Sequence, residues 1–435
     1  MVRAQPGMDL GRHHYLGMFI EIMPVQSTGF LICIKYSIMN KGGNMLPFAR
    51  MVKYGNIAPA PSVVRKISTS ISHVGMLFDN GNLYLRGAGV EYKLGNDSTG
   101  FVQDRWIKCP YSVADVWCLT YATIILTTSG ELYLAGQMGY VGVVATSGPG
   151  WTNITTILSS IPGLSTIQNI ASTESTTTNG AILILLSSGD LYGIGRNGAG
   201  VLGVSGIQST PIKIDTGVTL IAGTDRAAAF HYVKNGQYYR CGSNARYNLG
   251  TSSSSLSTFT VSSDIFGSVL GIACTTNATS VLTSYNGTIR VYSAGQNTDY
   301  TLGIGYGDTS IIMSPFSMTP TIYGIVPDVG SLNNSCINAH MIAMTQGGKL
   351  YTCGNGVALG REITSSTPRT AYYPVLFEDS VTAPAVQAFS VQGSSGVLYA
   401  LVGANEVYWC GSGSMFQEQS AGTQQVKMKK MILPE

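Results

Sequence analysis

Gly189-Asp190-Leu191-Tyr192-Gly193-Ile194-Gly195 contains the phrase Gly-x-Leu-Tyr-x-x-Gly, and looser forms of this phrase recur along most of the chain. Seven of these recurrences carry a tyrosine three residues before the glycine that ends the phrase: Tyr84/Gly87, Tyr133/Gly136, Tyr192/Gly195, Tyr239/Gly242, Tyr292/Gly295, Tyr351/Gly354 and Tyr408/Gly411. The steps between successive tyrosines are 49, 59, 47, 53, 59 and 57 residues. Self-similarity at a period of about 50 residues indicates a propeller or another repeat array.

Each repeat predicts a β-hairpin followed by a loop. An apolar run, such as Ile182-Leu183-Ile184-Leu185, leads into a short turn, and the return strand carries the tyrosine and is expected to end at the repeat glycine. The turn tips are Asn80-Gly81, Ser129-Gly130, Ser188-Gly189, Asn235-Gly236, Asn286-Gly287 and Gly347-Gly348. Asn-Gly between two apolar runs is a strong hairpin signal, because both residues tolerate positive φ. Most repeats then close with Leu-Gly, as in Leu94-Gly95, Leu202-Gly203, Leu249-Gly250, Leu302-Gly303 and Leu359-Gly360.

The first and sixth repeats show a resemblance to a known family. They read His73-x(7)-Gly81-Asn82-Leu83-Tyr84-x-x-Gly87-x(6)-Leu94-Gly95 and His340-x(7)-Gly348-Lys349-Leu350-Tyr351-x-x-Gly354. This pattern resembles the repeat of the regulator of chromosome condensation (RCC1-like) superfamily over residues 62–435. The resemblance implies an all-β fold, a seven-bladed β-propeller of four-stranded antiparallel blades. The sequence departs from the family because the aromatic residue before the return-strand glycine is missing, and because the histidine is kept in two repeats.

The C-terminal segment suggests how such a ring could close. Residues 423–432 alternate apolar and basic side chains and resemble Thr210-Pro211-Ile212-Lys213-Ile214, which leads into the fourth repeat. Closing a propeller removes exposed sheet edges. We therefore expect this C-terminal strand to pair with the hairpin near residues 71–86, so that N- and C-terminal strands close the ring.

The N-terminal residues lie outside the repeats, and the sequence predicts three parts. Residues 1–44 form a leader, 45–62 an extended Pro-containing docking arm, and 63–435 the propeller. Lys41-Gly42-Gly43-Asn44-Met45 resembles a translated bacterial ribosome-binding site followed by a start codon. One hypothesis is that Met45 is the natural start and that 1–44 is not part of the natural protein; the alternative is a short terminal arm. Glu21, Pro24 and Gln26 interrupt the apolar run, so no membrane insertion is expected.

Composition excludes some partners. Charged residues make up 11% of the chain and the formal net charge is +3, so a nucleic-acid backbone would find few phosphate contacts. The eight cysteines form no C-x-x-C pair, and three of them, Cys241, Cys353 and Cys410, share one repeat position. We expect buried thiols, and neither a metal nor a cofactor.

Catalytic motifs are also missing from the sequence. It contains no H-E-x-x-H, no G-x-S-x-G and no Walker-type loop. The five histidines are His13, His14, His73, His231 and His340, and each is expected to be structural. We therefore expect a non-enzymatic protein, with a propeller lyase or hydrolase as the remaining enzymatic alternative.

Propellers commonly bind through the variable connections between their strands. The longest connections, together with the N-terminal arm, carry aromatic residues that we predict to form the interaction surface: Trp151, Tyr306, Phe316, Tyr323, Tyr372, Tyr373, Phe48 and Tyr54. The repeat tyrosines are expected to pack between blades; the alternative is a sugar-binding aromatic surface.

Two functional hypotheses follow. The first is a bacteriophage virion component in a multi-subunit assembly, binding other virion proteins through the arm and loops, or a host surface receptor. It rests on the charge-poor composition rich in Gly, Ser, Thr, Asn and Tyr and on the stretch before Met45. The resemblance implies it too, since propellers of this family occur in tailed-phage fibres, whiskers, collars and tail tips. The second hypothesis is a soluble protein-binding propeller, cytoplasmic or secreted, acting as an exchange factor or enzyme inhibitor.

Overall fold

The computed structural model separates the chain into two compact units, Met1–Ser62 and Val63–Glu435. The structure describes residues 16–24, 30–39, 45–52, 62–70, 72–142, 147–173, 180–198, 200–224, 228–298, 300–305, 307–318, 329–334, 340–354, 358–361, 369–381, 384–391, 396–403, 405–412 and 424–434. No helix in these ranges is both long and apolar enough to span a membrane.

The first unit is a three-stranded antiparallel sheet. Its strands are β1 (Leu16–Pro24), β2 (Phe30–Met39) and β3 (Met45–Val52), in that spatial order. Residue 48 of β3 pairs with residue 36 of β2. The sequence analysis predicts an extended docking arm over residues 45–62; in the structure, residues 45–52 of this segment form the extended strand β3 and pair with β2, and residues 53–61 fall outside the described residues.

The second unit is an all-β, seven-bladed propeller of four-stranded antiparallel sheets, which confirms the predicted fold class. Each blade uses four strands in chain order. They are, for blade 1, β4 (Val64–Thr69), β5 (His73–Phe78), β6 (Leu83–Ala88) and β7 (Phe101–Lys108); for blade 2, β8 (Val113–Cys118), β9 (Ala122–Thr127), β10 (Leu132–Gly136) and β11 (Thr152–Asn153); for blade 3, β12 (Ile167–Thr173), β13 (Ala181–Leu186), β14 (Leu191–Gly195) and β15 (Gln208–Asp215); for blade 4, β16 (Val218–Thr224), β17 (Ala229–Lys234), β18 (Gln237–Ser243) and β19 (Ser255–Val261); for blade 5, β20 (Ser268–Cys274), β21 (Ala278–Tyr285), β22 (Thr288–Gln296) and β23 (Ile312–Met318); for blade 6, β24 (Val329–Asn334), β25 (His340–Thr345), β26 (Leu350–Gly354) and β27 (Arg369–Pro374); for blade 7, β28 (Ala385–Val391), β29 (Val397–Val402), β30 (Glu406–Ser412) and β31 (Gln424–Lys430). Short 3-10 turns occupy Val90–Tyr92, Met138–Val141 and Leu164–Thr166.

The first strands of neighbouring blades contact one another, as β4 contacts β8 and β28, so they line the inside of the ring. The connections therefore lie on two opposite faces. The hairpin face carries the turns between second and third strands and the connections from each fourth strand to the next blade. The loop face carries the connections from first to second strands and from third to fourth strands.

Seven separate hydrophobic clusters hold the blades together, one at each blade junction among the described residues. Every cluster contains, or is packed by, one repeat tyrosine that faces the preceding blade. Tyr192 of blade 3, for example, joins Ile124 and Leu134 of blade 2. Stabilisation therefore comes mainly from the apolar area buried between sheets.

Side-chain packing between blades 7 and 1 closes the ring, and neither of these two blades combines strands from both ends of the propeller. The C-terminal strand β31 pairs with β30, so the predicted pairing with the hairpin near residues 71–86 is wrong. Blade 1 already has four strands of its own, which leaves that hairpin no free edge on either side. Met76 and Tyr399 lie in one cluster across the junction, and the N–H of Ile67 donates to Gln387 Oε1 at 3.4 Å.

The glycine of each repeat phrase has a steric role. All seven of these glycines have φ between 112° and 137°. A Cβ built on Gly295 would lie 2.1 Å from the backbone oxygen of Asn277, in the turn between the first and second strands. The same distance would be 2.3 Å from Gly242 to the oxygen of Ala228, and 2.1 Å from Gly411 to that of Gly396. A side chain would therefore separate the third strand from that turn, and glycine also adopts this φ without strain.

The repeat glycine does not always end its strand. In blades 4 and 7 the third strand continues past Gly242 and Gly411 to Ser243 and Ser412, so the prediction that it ends at these two glycines is wrong. The physical reason is that both serines still pair with the fourth strand, β19 or β31, beyond a shift in register just before the glycine. The same extension by one residue occurs after Gly87 and Gly295, whereas β10, β14 and β26 end at their glycines.

Candidate interaction surface

The side chains that could hold a metal ion or act as thiol nucleophiles are dispersed or buried among the described residues. In the described part of the chain, no three His, Cys, Asp or Glu side chains are grouped so that they could hold a metal ion. Cys109, Cys118, Cys241, Cys274, Cys353 and Cys410 are free and buried, and burial raises the pKa of Cys353 and of Cys410 to about 12. Such thiols remain protonated and shielded at neutral pH, so they are poor nucleophiles.

Two histidines occupy buried positions between or within blades. His73 Nδ1 lies 2.6 Å from Ser70 Oγ, and its Nε2 lies 2.8 Å from Thr123 Oγ1 in blade 2. Burial, together with the charge of Lys93, holds the pKa of His73 well below its ordinary value. His231 Nδ1 lies 2.7 Å from Tyr238 Oη. His340 begins β25, whereas His13 and His14 fall outside the described residues.

The loop face is built from a recurring connection between third and fourth strands. In blades 3 and 4, an asparagine two residues after the repeat glycine braces this loop. Asn244 Nδ2 donates to the backbone oxygens of Thr251 and Ser253, both at 2.7 Å, and its Oδ1 accepts from Leu249 N–H at 2.8 Å. Asn197 makes the equivalent three bonds, and Asn297 of blade 5 bonds the backbone oxygen of Asp308. The sequence analysis missed this brace, although Gly-x-Asn recurs at all three positions.

A tyrosine is held in left-handed conformation on three of these loops. Tyr92, Tyr247 and Tyr300 have φ of 60°, 60° and 59°, and each lies two residues before the leucine of the closing Leu-Gly pair. The equivalent residue of blade 3 is Gly200, with φ 66°. A bulky L-residue in this conformation costs about 1–2 kcal/mol, which glycine avoids. Tyr247 is 38% exposed, and Tyr92 and Tyr300 are half-buried. We call these three residues the tyrosine rim.

Three of the predicted contact aromatics pack between blades instead of forming an exposed surface. Phe316 and Tyr372 are 4% and 2% exposed, and Trp151 is half-buried. Each ring covers the Leu-Gly glycine of the preceding blade, which offers a flat backbone surface: Trp151 covers Gly95, Phe316 covers Gly250 and Tyr372 covers Gly303. The prediction that Phe316 and Tyr372 are exposed is wrong, because this glycine lets a ring from the next blade enter.

The remaining predicted contact residues are distributed differently. Tyr373 is 48% exposed, and the guanidinium of Arg361 lies over its ring, 4.9 Å from the centroid. Phe48 lies in β3. Tyr54, Tyr306 and Tyr323 fall outside the described residues. Among the described aromatics, Tyr373 and Tyr247 are exposed, as are Phe266 and Tyr285, and the other two residues of the tyrosine rim are partly exposed.

The two faces differ in their electrostatics. The four ion pairs found among the described residues all lie on the hairpin face: Lys66–Asp115, Lys213–Asp190, Lys234–Asp215 and Lys430–Glu406. On the loop face, Arg246 donates to the neutral Gln296 and Ser147 to Glu91. The loop face therefore carries charged side chains, such as Arg246 and Glu91, beside its aromatic rings, amides and hydroxyls.

Comparison with known proteins supports the fold. No protein-family model matches the chain, and no curated protein matches it. Among solved structures, human WBSCR16 has 17% identity and a TM-score of 0.61, covering 83% of this chain and 91% of its own. Yeast RCC1 (Prp20) bound to Kap60 has 15% identity and a TM-score of 0.62, covering 82% and 84%. Prp20p from Saccharomyces cerevisiae, studied for binding to Gsp1p and histones, has 15% identity and a TM-score of 0.60, covering 78% and 82%.

The seven-bladed fold of this chain is similar to the structures of yeast RCC1 (Prp20) and human WBSCR16. At these identities the likeness concerns the fold alone, and a shared fold does not transfer a partner. A rigid ring with chemically distinct faces is consistent with a protein-interaction module.

Proposed function

We propose that this chain is a non-enzymatic binding propeller that contacts its partner through the loop face. We further propose that it is a component of a bacteriophage particle, in a tail fibre, whisker, collar or tail tip. There it would bind other virion proteins through the loop face and the arm at 45–62, or a receptor on the host surface.

The tyrosine rim carries the loop-face proposal. Tyr92, Tyr247 and Tyr300 each retain a strained backbone conformation that Gly200 adopts in blade 3 without strain. Residues with strained backbone conformations of this kind cluster at functional sites. Tyrosine provides a large rigid ring and a hydroxyl, which is why it is enriched at protein interfaces.

The virion proposal rests on other observations. Charged residues form 11% of the chain, and the ion pairs of the described residues lie away from the loop face. The stretch before Met45 resembles a translated bacterial ribosome-binding site. The second candidate is a soluble protein-binding propeller, an exchange factor or an inhibitor. It is favoured by the fold neighbour Prp20p, whose structure was determined with its binding to Gsp1p and histones.

The virion proposal is tested by mass spectrometry of purified particles. We expect peptides of this chain at a stoichiometry comparable with known tail or collar proteins. Absence from the particles, with the chain present in the infected cell, would contradict the virion proposal and leave the soluble alternative.

The loop-face proposal is tested separately with Tyr92→Gly, Tyr247→Gly and Tyr300→Gly combined. Glycine keeps the left-handed backbone and removes the ring, so the variant should fold with an unchanged or slightly higher Tm. Binding, measured as incorporation into particles or recovery of the partner, should fall at least about tenfold, as expected when aromatic anchors are lost. Tyr285→Ala, on the hairpin face, is the matched control and should bind normally. Equal loss in both variants would overturn the choice of face.

A further inference from the structure

One core position between blades 4 and 5 is occupied by a charged residue. The residue two places before the repeat glycine faces the following blade. In blades 1, 2 and 7 it is Leu85, Leu134 and Trp409, each fully buried in a junction cluster. In blade 4 it is Arg240, and its cross-strand partner on β17 is His231. Arg240 thus occupies a position where three other blades have apolar side chains, and His231 lies beside it.

Two of the three guanidinium nitrogens of Arg240 lack hydrogen-bonding partners among the described residues. The residue is 6% exposed, and neither Nε nor Nη1 makes a hydrogen bond there. The Cζ atom of Arg240 lies over the ring of Phe316, 5.8 Å from its centroid. The negative charge of Asp264 favours the charged form of Arg240, but the two side chains form no ion pair within 4 Å. Burying a cation without acceptors costs several kcal/mol, so retaining it here calls for an explanation.

His231 adds a third N–H donor, after Nε and Nη1 of Arg240, at the junction between blades 4 and 5. The ring is fully buried, and burial together with the charge of Arg240 lowers the pKa of His231 to about 3, so the ring is neutral. Tyr238 Oη lies 2.7 Å from Nδ1. If Tyr238 donates to Nδ1, its own proton is satisfied and the ring proton is on Nε2. Nε2 has no partner among the described residues, so this N–H is free to donate.

Asn248, on the loop between β18 and β19, supplies further polar atoms at this junction. It is fully buried, and neither Oδ1 nor Nδ2 has a hydrogen-bond partner in the described part of the chain. The equivalent residue of blade 1 is Lys93, whose Nζ crosses to the backbone oxygen of Thr120 in blade 2. The position therefore faces the next blade, which for Asn248 is blade 5.

We propose that Arg240 and His231 form a binding site for a small oxyanion, a carboxylate or phosphate group, between blades 4 and 5. The unpartnered atoms of the two basic side chains are N–H donors, and an oxyanion would supply their acceptors. The planar guanidinium matches two oxygens of such a group at once. Because Arg240 is more than nine-tenths buried, the site suits a small free anion better than a protein side chain carried on a backbone.

The test uses the full chain, with inorganic phosphate and acetate as probes at constant ionic strength maintained with chloride. Calorimetric titration and thermal unfolding should both show saturable binding of at least one probe to the wild-type protein, since a ligand of the native state raises Tm. Arg240→Met should abolish this response and, without added anion, should raise Tm, because it removes a buried unpaired charge. Arg240→Lys keeps the charge without the fork and should weaken binding by about tenfold or more.

The matched control is Arg290→Met. Arg290 is also stacked on an aromatic ring, with its guanidinium 4.5 Å from the centroid of Tyr285, and it lies outside the proposed site. This variant should keep the wild-type response. The proposal fails if wild-type Tm rises no more with phosphate or acetate than with chloride. It also fails if Arg240→Met and Arg240→Lys bind the probes as well as the wild type, or if Arg290→Met loses binding to the same extent.

Discussion

The ring of Phe316 in blade 5 lies on the α-carbon of Gly250 in blade 4. A Cβ built on Gly250 would come within 2.2 Å of Phe316 Cδ2, and the glycine has φ 61°. Gly250→Ala should therefore destabilise the propeller twice, by about 1–2 kcal/mol for the left-handed backbone and about 1–3 kcal/mol for overpacking against the ring. Urea unfolding followed by tryptophan fluorescence would measure the loss.

Gly287→Ala separates these two effects. Gly287 has φ 75°, but a Cβ there would meet nothing within 4 Å. In this control the left-handed backbone alone should reduce stability, by about 1–2 kcal/mol. If both variants lost the same stability, the contact between Phe316 and Gly250 would have no energetic role.

The sequence predicts the blades well because each blade is local. The turn at Asn235-Gly236 joins adjacent strands, and both residues have the positive φ that the turn requires. Seven such local units determine the number of blades without knowledge of how the blades meet. The strand ends are less local, since Ser243 and Ser412 stay in their strands after Gly242 and Gly411 only because a fourth strand pairs with them.

Contacts between blades depend on residues far apart in the chain, and there the sequence analysis was less successful. Phe316 looks exposed in isolation; its burial follows from Gly250 in another blade. The placement of β31 depended on whether blade 1 lacked a strand, which the weak pattern of its fourth strand did not reveal. Arg240 could have been noticed, because no other repeat has a charged residue at the aligned position. The domain boundaries and the set of contact residues stay predictions.

The repeat tyrosines should be essential for stability. Tyr192 is buried at the junction with blade 2 among Ile124, Leu134 and their neighbours. Tyr192→Ala should reduce the free energy of unfolding by about 3–5 kcal/mol, as other buried aromatic truncations do. Tyr373→Ala, at a residue 48% exposed, should cost less than about 1 kcal/mol. Similar Tm values for the two variants would contradict the assignment of Tyr192 to the core between blades.

The described thiols should resist modification in the native protein. Cys109, Cys118, Cys241, Cys274, Cys353 and Cys410 are free and buried. Burial raises the pKa of Cys109 and Cys241 to about 11, and that of Cys118, Cys274, Cys353 and Cys410 to about 12. Ellman's reagent at pH 8 should leave these six unmodified until denaturant is added, since the thiolate is the reactive form. A variant with Cys33→Ser and Cys336→Ser isolates them, and rapid colour from that folded variant would contradict their burial.

The two buried histidines, His73 and His231, should make the propeller sensitive to mild acid. Burial and nearby cations lower the pKa of His231 to about 3 and that of His73 well below its ordinary value. In the unfolded chain both histidines titrate at about pH 6.5, so below that pH the unfolded state binds more protons than the native state. Stability is therefore complete above pH 6.5 and falls as the pH drops, by up to about 1.4 kcal/mol per pH unit for each histidine. Between pH 6.5 and 5, urea unfolding should show this slope, before most carboxylates titrate.

Single and double variants assign the slope to these residues. His73→Gln and His231→Gln should each reduce the slope of the unfolding free energy against pH by the contribution of one proton, up to about 1.4 kcal/mol per pH unit. The double variant should reduce the slope by both contributions. Each variant also loses stability at pH 7, because it breaks the hydrogen bonds to Ser70 and Thr123 or to Tyr238. The slope is therefore compared, and not the absolute stability. An acid slope unchanged in the double variant would mean that both rings are protonated as readily in the native state as in the unfolded chain.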